Sequence, residues 1–217
     1  MFCALNDKTQ KVIVIGGGGH AKVVLSLLRE LGIEPFGIAD PDKLGQSVLG
    51  IPVRGGDEWV LGQNRGEVVL VNAIGAAGCQ TPRKKIFDTF KEADFSFLKM
   101  VHPCACVDED VLIEEGTQVM AGSVIQAGVK IGSNSIVNTR VSMDHDCTIG
   151  KNVHVAPGTT ICGGVTINEG TFVGAGSVLV QNVNVGSNCI IGAGSVLLSD
   201  VPDDATAYGN PARIVSD

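Results

Sequence analysis

The carboxyl-terminal half of the sequence repeats in strict steps of six residues, and this period restricts the possible folds more than any other feature. Sixteen positions spaced six apart, from Val107 to Leu197, are all aliphatic or Met. Four residues after each of them comes Val, Thr, Ser or Cys. Neither an α-helix nor a hairpin meander has this period, whereas a parallel β-helix with hexapeptide sides does. The sequence therefore predicts a parallel β-helix domain over residues 101–217.

The same spacing predicts which side chains point into the coil. Because strand side chains alternate, the aliphatic residue and the small residue two positions before it both point inward. The three residues after the aliphatic one form a corner, where Gly and Asn recur because a corner needs a permissive backbone. Three sides make eighteen residues per coil, so residues eighteen apart stack about 4.8 Å from each other. Sixteen hexads then give just over five coils.

The first 100 residues follow a different pattern, in which strand-like and helix-like segments alternate. The predicted strands are "KVIVIG", "PFGIAD" and "EVVLVNAIG", and the predicted helices are "HAKVVLSLLREL" and "TPRKKIFDTFKEA". Such alternation is typical of a small α/β layer with a parallel sheet. The sequence therefore predicts two domains, an α/β domain over 1–100 followed by the β-helix.

Composition excludes several classes of function. A formal net charge of -7 argues against nucleic acid or an anionic membrane as the main partner, since both require a basic surface. The amino-terminal stretch "MFCALNDKTQ" does not resemble an export signal, and no apolar run is long enough to span a membrane, so we expect a cytoplasmic protein.

The seven cysteines have no disulfide-framework spacing and are predicted to be buried thiols. The group His102, Cys104 and Cys106 could suggest a zinc site, but no second cysteine pair completes it, and packing is the preferred interpretation. We therefore expect no metal.

The stretch "MDHDCTIGKNVHVAPG", residues 143–158, carries the candidate chemistry. His145 falls on the second position of a corner, outside the core, and Gly163 lies eighteen residues further on. A base beside a backbone N–H donor is what acyl transfer requires. Asp144 and Asp146 flank the histidine, and either could orient its ring. The alternative is a solvated corner histidine with no catalytic role.

These residues, with "HVAPG" and "GGVTI", resemble the active-site coil of the bacterial sialic-acid O-acetyltransferase-like family of hexapeptide acyltransferases. The resemblance implies a left-handed β-helix. It also implies that His145 is the general base with Asp146 beside it, that His154 lies near the thioester of acetyl-CoA, and that the Gly163 amide contacts the acetyl carbonyl. His154 falls on a flat outward face, so we expect it to be solvated in a single chain. If three β-helices associate side by side, as the resemblance implies, His154 faces the cleft between neighbours where the related enzymes bind acetyl-CoA; the alternative is that it only packs at the interface.

Recognition of acetyl-CoA must use few positive charges, because Arg213 is the only Lys or Arg after Lys151. We expect backbone N–H groups at two corners, Gly174 with Ala175 and Gly192 with Ala193, to contribute. We expect the positive charge to come from Arg213 or from a basic residue of an adjacent subunit. The tail "YGNPAR", which contains Arg213, resembles the family's C-terminal segment next to CoA.

A glycine loop, "GGGGHAKVV", follows the first strand and opens the first helix, where bare amides could cradle a diphosphate. Gly16, Gly18 and Ala21 match a dinucleotide-binding pattern, with Asp40 at the end of the second strand. About 100 residues form only one mononucleotide-binding half, so we prefer a single nucleotide to NAD.

The resemblance implies that a nucleotide sugar binds here. It places the loop residues on the phosphates and Asp40 near the nucleoside; the loop residues are Gly17, Gly18, Gly19, His20 and Lys22. His20 and Lys22 could alternatively have no ligand.

The sequence thus predicts an acetyl-CoA-dependent N-acetyltransferase that acts on a nucleotide-linked amino sugar, such as a 4-amino-4,6-dideoxyhexose attached to UDP or GDP, for surface glycan synthesis. Two alternatives stay open. One is an O-acetyltransferase of a sialic-acid-like sugar. The other is a non-catalytic nucleotide-binding protein that uses its β-helix only to form trimers.

Overall fold

The computed structural model describes residues 10–75 and 81–215. They form two compact units. One contains the described residues up to Gly75 together with Pro82–Met100, and the other contains Thr81 and the residues from Val101 onward.

The first unit is a five-stranded sheet with helices, and it confirms the predicted small parallel α/β layer. The strands are β1 (Lys11–Ile15), β2 (Pro35–Ala39), β3 (Ser47–Val48), β4 (Ile51–Gly55) and β5 (Val68–Asn72). The helices are α1 (Gly19–Glu30), α2 (Asp57–Leu61) and α3 (Thr81–Glu92), with a 3-10 turn over Pro41–Lys43. The order is β3-β4-β2-β1-β5, and every pair is parallel except β3 with β4. The β3–β4 hairpin and α2 were not predicted.

The core of this unit lies between the sheet and its helices. Helix α1 buries one stripe at helical spacing, formed by Ala21, Val24, Leu25, Leu27 and Leu28. Its other face is exposed and carries Lys22. This burial explains why α1 begins directly after the glycine loop: the stripe fixes the helix on the sheet, and the loop must join β1 to it within three residues, Gly16 to Gly18.

The second unit is the predicted parallel β-helix. Its two-residue strands form three sheets, which we call sides A, B and C. Side A contains Cys106–Val107, Val124–Ile125, Ser142–Met143, Thr160–Ile161, Val178–Leu179 and Val196–Leu197. Side B contains Leu112–Ile113, Lys130–Ile131, Thr148–Ile149, Thr166–Ile167 and Asn184–Val185. Side C contains Met100–Val101, Gln118–Val119, Ile136–Val137, His154–Val155, Phe172–Val173 and Ile190–Ile191, followed by the hairpin strands Thr206–Gly209 and Ala212–Val215.

Strand pairing confirms the eighteen-residue circumference. Residues eighteen apart pair in parallel register on each side, for example Ser142 with Thr160, Thr148 with Thr166 and Ile136 with His154. Fifteen of the sixteen aliphatic positions are buried, the exception being the half-buried Val107 in the first strand of side A, and all sixteen small residues are buried. The inward and outward positions were therefore predicted correctly.

The third residue of each corner explains the recurrence of Gly and Asn. From Gly116 to Gly194 this position has a left-handed backbone in every hexad, with φ between 55° and 76°. Gly adopts this conformation at little cost, and Asn and Asp tolerate it better than other residues. Asp146 occupies one of these positions, with φ 59°, so its side chain extends from a backbone whose conformation is set by the corner.

The cysteines are only partly as predicted. Cys147 and Cys189 are buried, and Cys162 is half-buried, but Cys104 and Cys106 are exposed. The packing interpretation was wrong for this pair because they lie at the start of the coil, where Cys106 takes an outward strand position. The Nδ1 of His102 accepts a hydrogen bond from the Cys104 amide, at 3.0 Å. Cys3 and Cys79 lie outside the described residues.

Within residues 10–75 and 81–215, no group of three or more His, Cys, Asp or Glu side chains is arranged to hold a metal ion. In the same residues, no helix combines the length and the apolar character needed to cross a lipid bilayer.

Candidate active site

The corner between sides A and B brings together the three residues predicted to be catalytic. His145 is the second residue of this corner, and its side chain is 62% exposed. Its Nδ1 lies 2.8 Å from Oδ2 of Asp146. A neutral imidazole that donates from Nδ1 to a carboxylate keeps its lone pair on Nε2. The geometry therefore leaves Nε2 as the basic atom.

The two flanking aspartates, which sequence reasoning could not tell apart, have different roles. Asp146 holds the imidazole, whereas Oδ1 of Asp144 accepts a hydrogen bond from the backbone amide of His145 at 2.8 Å. The hydrogen bond to Asp146, followed by the negative charge of Asp144, raises the pKa of His145 above its ordinary value of 6.5. The ring is therefore a stronger base than an isolated histidine.

Gly163 lies directly against the basic nitrogen, one coil beyond His145. A Cβ atom added to Gly163 would lie 2.7 Å from Nε2 of His145. Among the described residues, no acceptor takes a hydrogen bond from the Gly163 amide. A proton acceptor and an N–H donor therefore share one corner, as acyl transfer requires.

His154 lies on side C, which does not border the corner that carries His145. The prediction that His154 is solvated in a single chain is wrong, because His154 is only 7% exposed. Its ring packs nearly perpendicular to that of Phe172, with the ring centroids 5.3 Å apart, and its Nε2 lies 3.2 Å from Nδ2 of Asn138. Oδ1 of Asn138 accepts a hydrogen bond from the Thr139 amide, so Nδ2 is the atom left to donate to the imidazole. His154 is therefore held with a defined orientation inside its own chain.

Sequence reasoning missed both partners of His154. Phe172 is eighteen residues after it and is its strand neighbour on side C, so the stacking rule could have found it. Asn138 lies at a corner, and no sequence period relates a corner amide to a ring on the flat face.

At the corners proposed to contact acetyl-CoA, some backbone amides already donate hydrogen bonds within the coil and others do not. The amide of Gly174 donates to the carbonyl of Ile191 at 2.8 Å, and that of Gly192 donates to Ala207 at 2.9 Å. The prediction that these two amides bind a ligand is therefore wrong. The amides of Ala175 and Ala193 have no acceptor within the described parts of the chain. Both stand at the corner between sides C and A.

Arg213 lies in the hairpin that ends side C. It is exposed and pairs with Tyr208 in antiparallel register. Tyr208 covers Gly192 so closely that a Cβ on the glycine would lie 2.6 Å from the tyrosine Cβ. The hairpin therefore brings Arg213 to the coil that contains Gly192 and Ala193.

The glycine loop of the first unit opens into a cleft of about 540 Å³ that includes Gly17, Gly18, Gly19, His20 and Asp40 in its lining. A Cβ on Gly18 or Gly19 would meet nothing within 4 Å, so the backbone there faces open space. Among the described residues, neither of these two amides donates a hydrogen bond. Lys22 is exposed on α1 and is not part of the cleft lining.

Asp40 holds the loop from the end of β2. Its Oδ2 accepts a hydrogen bond from the Gly17 amide at 2.8 Å, and its Oδ1 accepts one from Asp42 at 3.0 Å. The ammonium group of Lys43 donates to the Gly17 carbonyl. Gly17 therefore has its amide and carbonyl engaged, and Gly18 and Gly19 are the loop glycines that can offer amides to a ligand.

A buried arginine, not predicted from the sequence, supports the far side of this cleft. Arg83 of α3 is 1% exposed, and its Nη1 donates to the carbonyls of Asn72 at 2.7 Å and Ile74 at 3.0 Å. Burial lowers the pKa of Arg83 to about 9. Ile74 and Gly75 line the cleft, so Arg83 fixes the segment that follows β5.

Two family descriptions match the two units. The PglD N-terminal domain matches residues 11–90, and the bacterial transferase hexapeptide family matches 110–145, 146–181 and 164–199.

A curated relative and two solved structures extend this similarity. UDP-N-acetylbacillosamine N-acetyltransferase of Bacillus subtilis is 33% identical over 118 residues, which is 52% of this chain and 52% of that protein. The matched segment thus spans about half the length of that relative. The structure of a point mutant of perosamine N-acetyltransferase from Caulobacter crescentus in complex with CoA and GDP-perosamine has a TM-score of 0.89 and 36% identity, covering 99% of both chains. The acetyltransferase domain of PglB from Neisseria gonorrhoeae with acetyl coenzyme A has a TM-score of 0.87 and 35% identity, covering 95% of this chain and 100% of that one. The chain therefore belongs to the family of hexapeptide acetyltransferases with a PglD-type amino-terminal domain, the family of the perosamine and UDP-N-acetylbacillosamine N-acetyltransferases.

Proposed function

We propose that this protein is an acetyl-CoA-dependent N-acetyltransferase that acetylates the amino group of a nucleotide-linked amino sugar for surface glycan synthesis. The observation that carries the proposal is the corner where Nε2 of His145 faces Gly163. The relatives support the substrate classes, since one structure holds CoA with GDP-perosamine and another holds acetyl coenzyme A.

The proposed reaction uses this corner as follows. The amine attacks the thioester carbonyl, forming the C–N bond, and Nε2 of His145 accepts the proton that the amine loses. Asp146 stabilises the resulting imidazolium through Nδ1, and the Gly163 amide donates to the oxyanion of the tetrahedral intermediate. The C–S bond then breaks, and the imidazolium returns the proton to the departing CoA thiolate. Atoms and charge balance without a metal.

The proposed acetyl-CoA site lies elsewhere on the coil. His154 belongs to side C, and the amides of Ala175 and Ala193 lie at the corner between sides C and A. The catalytic corner lies between sides A and B, so it does not border side C. A neighbouring subunit that packs its side C against the catalytic corner would complete the site. We therefore propose a homotrimer with three intersubunit sites, in which Arg213 contributes positive charge for CoA.

The α/β domain, residues 1–100, is proposed to hold the nucleotide. Its cleft of about 540 Å³ is large enough for part of a nucleotide sugar, whose size class is several hundred Å³. The amides of Gly18 and Gly19, at the start of α1, are positioned for a diphosphate. His20 lines the same cleft, and Asp40 acts by holding the loop. Lys22 lies outside the cleft lining, and we propose that its long side chain extends from α1 to the phosphates. A cytoplasmic location suits all of these substrates.

Two assays test this function together. Acetyl transfer from acetyl-CoA to UDP- and GDP-linked 4-amino-4,6-dideoxyhexoses should be measured beside transfer to free sialic-acid-like sugars. Calorimetric titration with UDP, GDP and CMP should show one nucleotide binding to the chain. Transfer to a free sugar hydroxyl without nucleotide binding would favour the O-acetyltransferase, and nucleotide binding without any transfer would favour the assembly protein.

A further inference from the structure

A buried thiol contacts the peptide group that presents the Gly163 amide. Cys147 points into the coil at the small-residue position of its hexad and is 0% exposed. Its Sγ lies 3.2 Å from the carbonyl oxygen of Cys162 and 3.7 Å from that of His145. Burial raises the pKa of the Cys147 thiol, so the sulfur keeps its proton and can donate it.

This contact bears on the direction of the Gly163 amide, because it engages the other end of the same peptide group. The Cys162 carbonyl and the Gly163 N–H belong to one planar trans peptide group, and they point in opposite directions. Because the carbonyl points inward to Cys147, the N–H points outward toward the corner that carries His145. A hydrogen bond to the carbonyl also polarises the peptide group and makes its N–H a better donor.

The same contact recurs along the coil at inward Ser and Thr side chains, for example from Thr117 to the Gly132 carbonyl at 3.0 Å, and it also occurs at the two other amides assigned to acetyl-CoA. The Gly174 carbonyl, which precedes Ala175, accepts hydrogen bonds from Thr159 at 3.3 Å and Ser177 at 2.8 Å. The Gly192 carbonyl, which precedes Ala193, accepts them from Ser177 at 3.0 Å and Ser195 at 2.7 Å. The three amides assigned to the oxyanion and to acetyl-CoA thus belong to peptide groups whose carbonyls accept hydrogen bonds from inside the coil.

The neighbours of Cys147 show that the coil does not need a polar residue there. Val129 and Val165 occupy the same inward position one coil before and one coil after, and both are 0% exposed. Valine fills the space but has no donor. The thiol therefore adds a hydrogen-bond donor to the packing, and it contacts the carbonyl of the peptide group that carries the proposed oxyanion donor.

We propose that Cys147 is a positioning residue for acyl transfer, whose S–H group holds the Cys162–Gly163 peptide so that the Gly163 amide meets the oxyanion. This role rests on the proposed function. It predicts an effect on turnover, because the oxyanion forms only in the transition state.

The test compares Cys147→Val, Cys147→Ser and a matched control, Cys189→Val. Cys189 is 1% exposed and makes the same type of contact, with Sγ 3.0 Å from the carbonyl of Pro202 and 3.6 Å from that of Ser187. It lies at a different corner, away from His145. For each variant, kcat, both KM values, the pH profile and the melting temperature are measured.

We expect Cys147→Val to lower kcat about three- to tenfold, the range of one neutral hydrogen bond. Both KM values and the acidic limb of the pH profile should stay unchanged. Cys147→Ser keeps a donor and should stay within about twofold of the wild-type kcat, as should Cys189→Val. Should Cys147→Val not fold, Cys147→Ala provides a second variant without a donor.

A wild-type kcat in the variant without a donor, or an equal loss in Cys147→Ser and Cys147→Val, would overturn the role of the thiol. Equal drops in melting temperature for Cys147→Val and Cys189→Val with unchanged kcat would show that both thiols are merely structural. His145→Ala separates this from the proposed function. If that variant is inactive while Cys147→Val is fully active, only the positioning role fails; if His145→Ala is active, the proposed function itself fails.

Discussion

Gly163→Ala should abolish most activity by moving the catalytic base. The added Cβ would lie 2.7 Å from Nε2 of His145, whereas non-bonded heavy atoms pack at about 3.5 Å. The imidazole must therefore move by about 0.8 Å, and a displacement of this size can cost about a hundredfold in rate. We expect kcat to fall by about that factor.

The loss should be specific to catalysis. His145 is exposed, so its ring can move at small cost, and the stability change should stay within about 0.5 kcal/mol. Gly163 does not have a left-handed backbone, and alanine occupies the same corner position at Ala127. Gln181, exposed at this position one coil further on, supplies the control Gln181→Ala, which should keep wild-type turnover. The assay follows release of the CoA thiol under saturating substrates, with melting temperature measured in parallel. Wild-type turnover in Gly163→Ala would refute the placement of the base.

Three further predictions test the charge, the loop and the assembly. Because the pKa of His145 is raised, kcat/KM should fall as the pH decreases through that pKa. In full pH–rate profiles, Asp146→Asn should move this acidic limb to lower pH, and Asp144→Asn should move it by less in the same direction. Identical profiles for wild type and Asp146→Asn would contradict this pairing. Asp40→Ala removes the acceptor that holds the glycine loop, so steady-state kinetics should show a KM for the nucleotide sugar raised about tenfold with kcat unchanged. The control Glu34→Gln, on the exposed surface, should change neither constant. An unaltered KM in Asp40→Ala would exclude a loop-holding role. Analytical ultracentrifugation should give three times the mass of the chain, and a monomer with full activity would contradict an intersubunit site.

The regular part of the structure could be predicted because one rule generates it. The six-residue period determines that Met143 and Cys147 point inward, that His145 lies on a corner and that Gly163 stacks against it. Because every hexad has the same pattern of aliphatic, small and corner residues, each one indicates the same fold. The glycine loop was predicted for a similar reason, because it must connect a buried strand to a helix.

The contacts that the sequence did not indicate depend on side-chain geometry within the repeat. The choice between Asp144 and Asp146 depends on where each carboxylate lies: Oδ2 of Asp146 is 2.8 Å from Nδ1 of His145, whereas Asp144 accepts from the His145 amide. The burial of His154 depends on Asn138 and Phe172, which lie at different positions of their hexads. The engagement of the Gly174 amide by Ile191 follows from the hydrogen bond between coils, which uses the first corner amide and leaves the second one available.

Turnover of His145→Ala tests the central claim most directly. Initial rates of acetyl transfer should be measured with saturating acetyl-CoA and nucleotide-linked amino sugar, together with calorimetric binding of the nucleotide sugar to the same preparation. The account predicts that kcat falls by orders of magnitude while the dissociation constant of the nucleotide sugar stays within about twofold of the wild-type value. Wild-type turnover in this variant would contradict the assignment of His145 as the base.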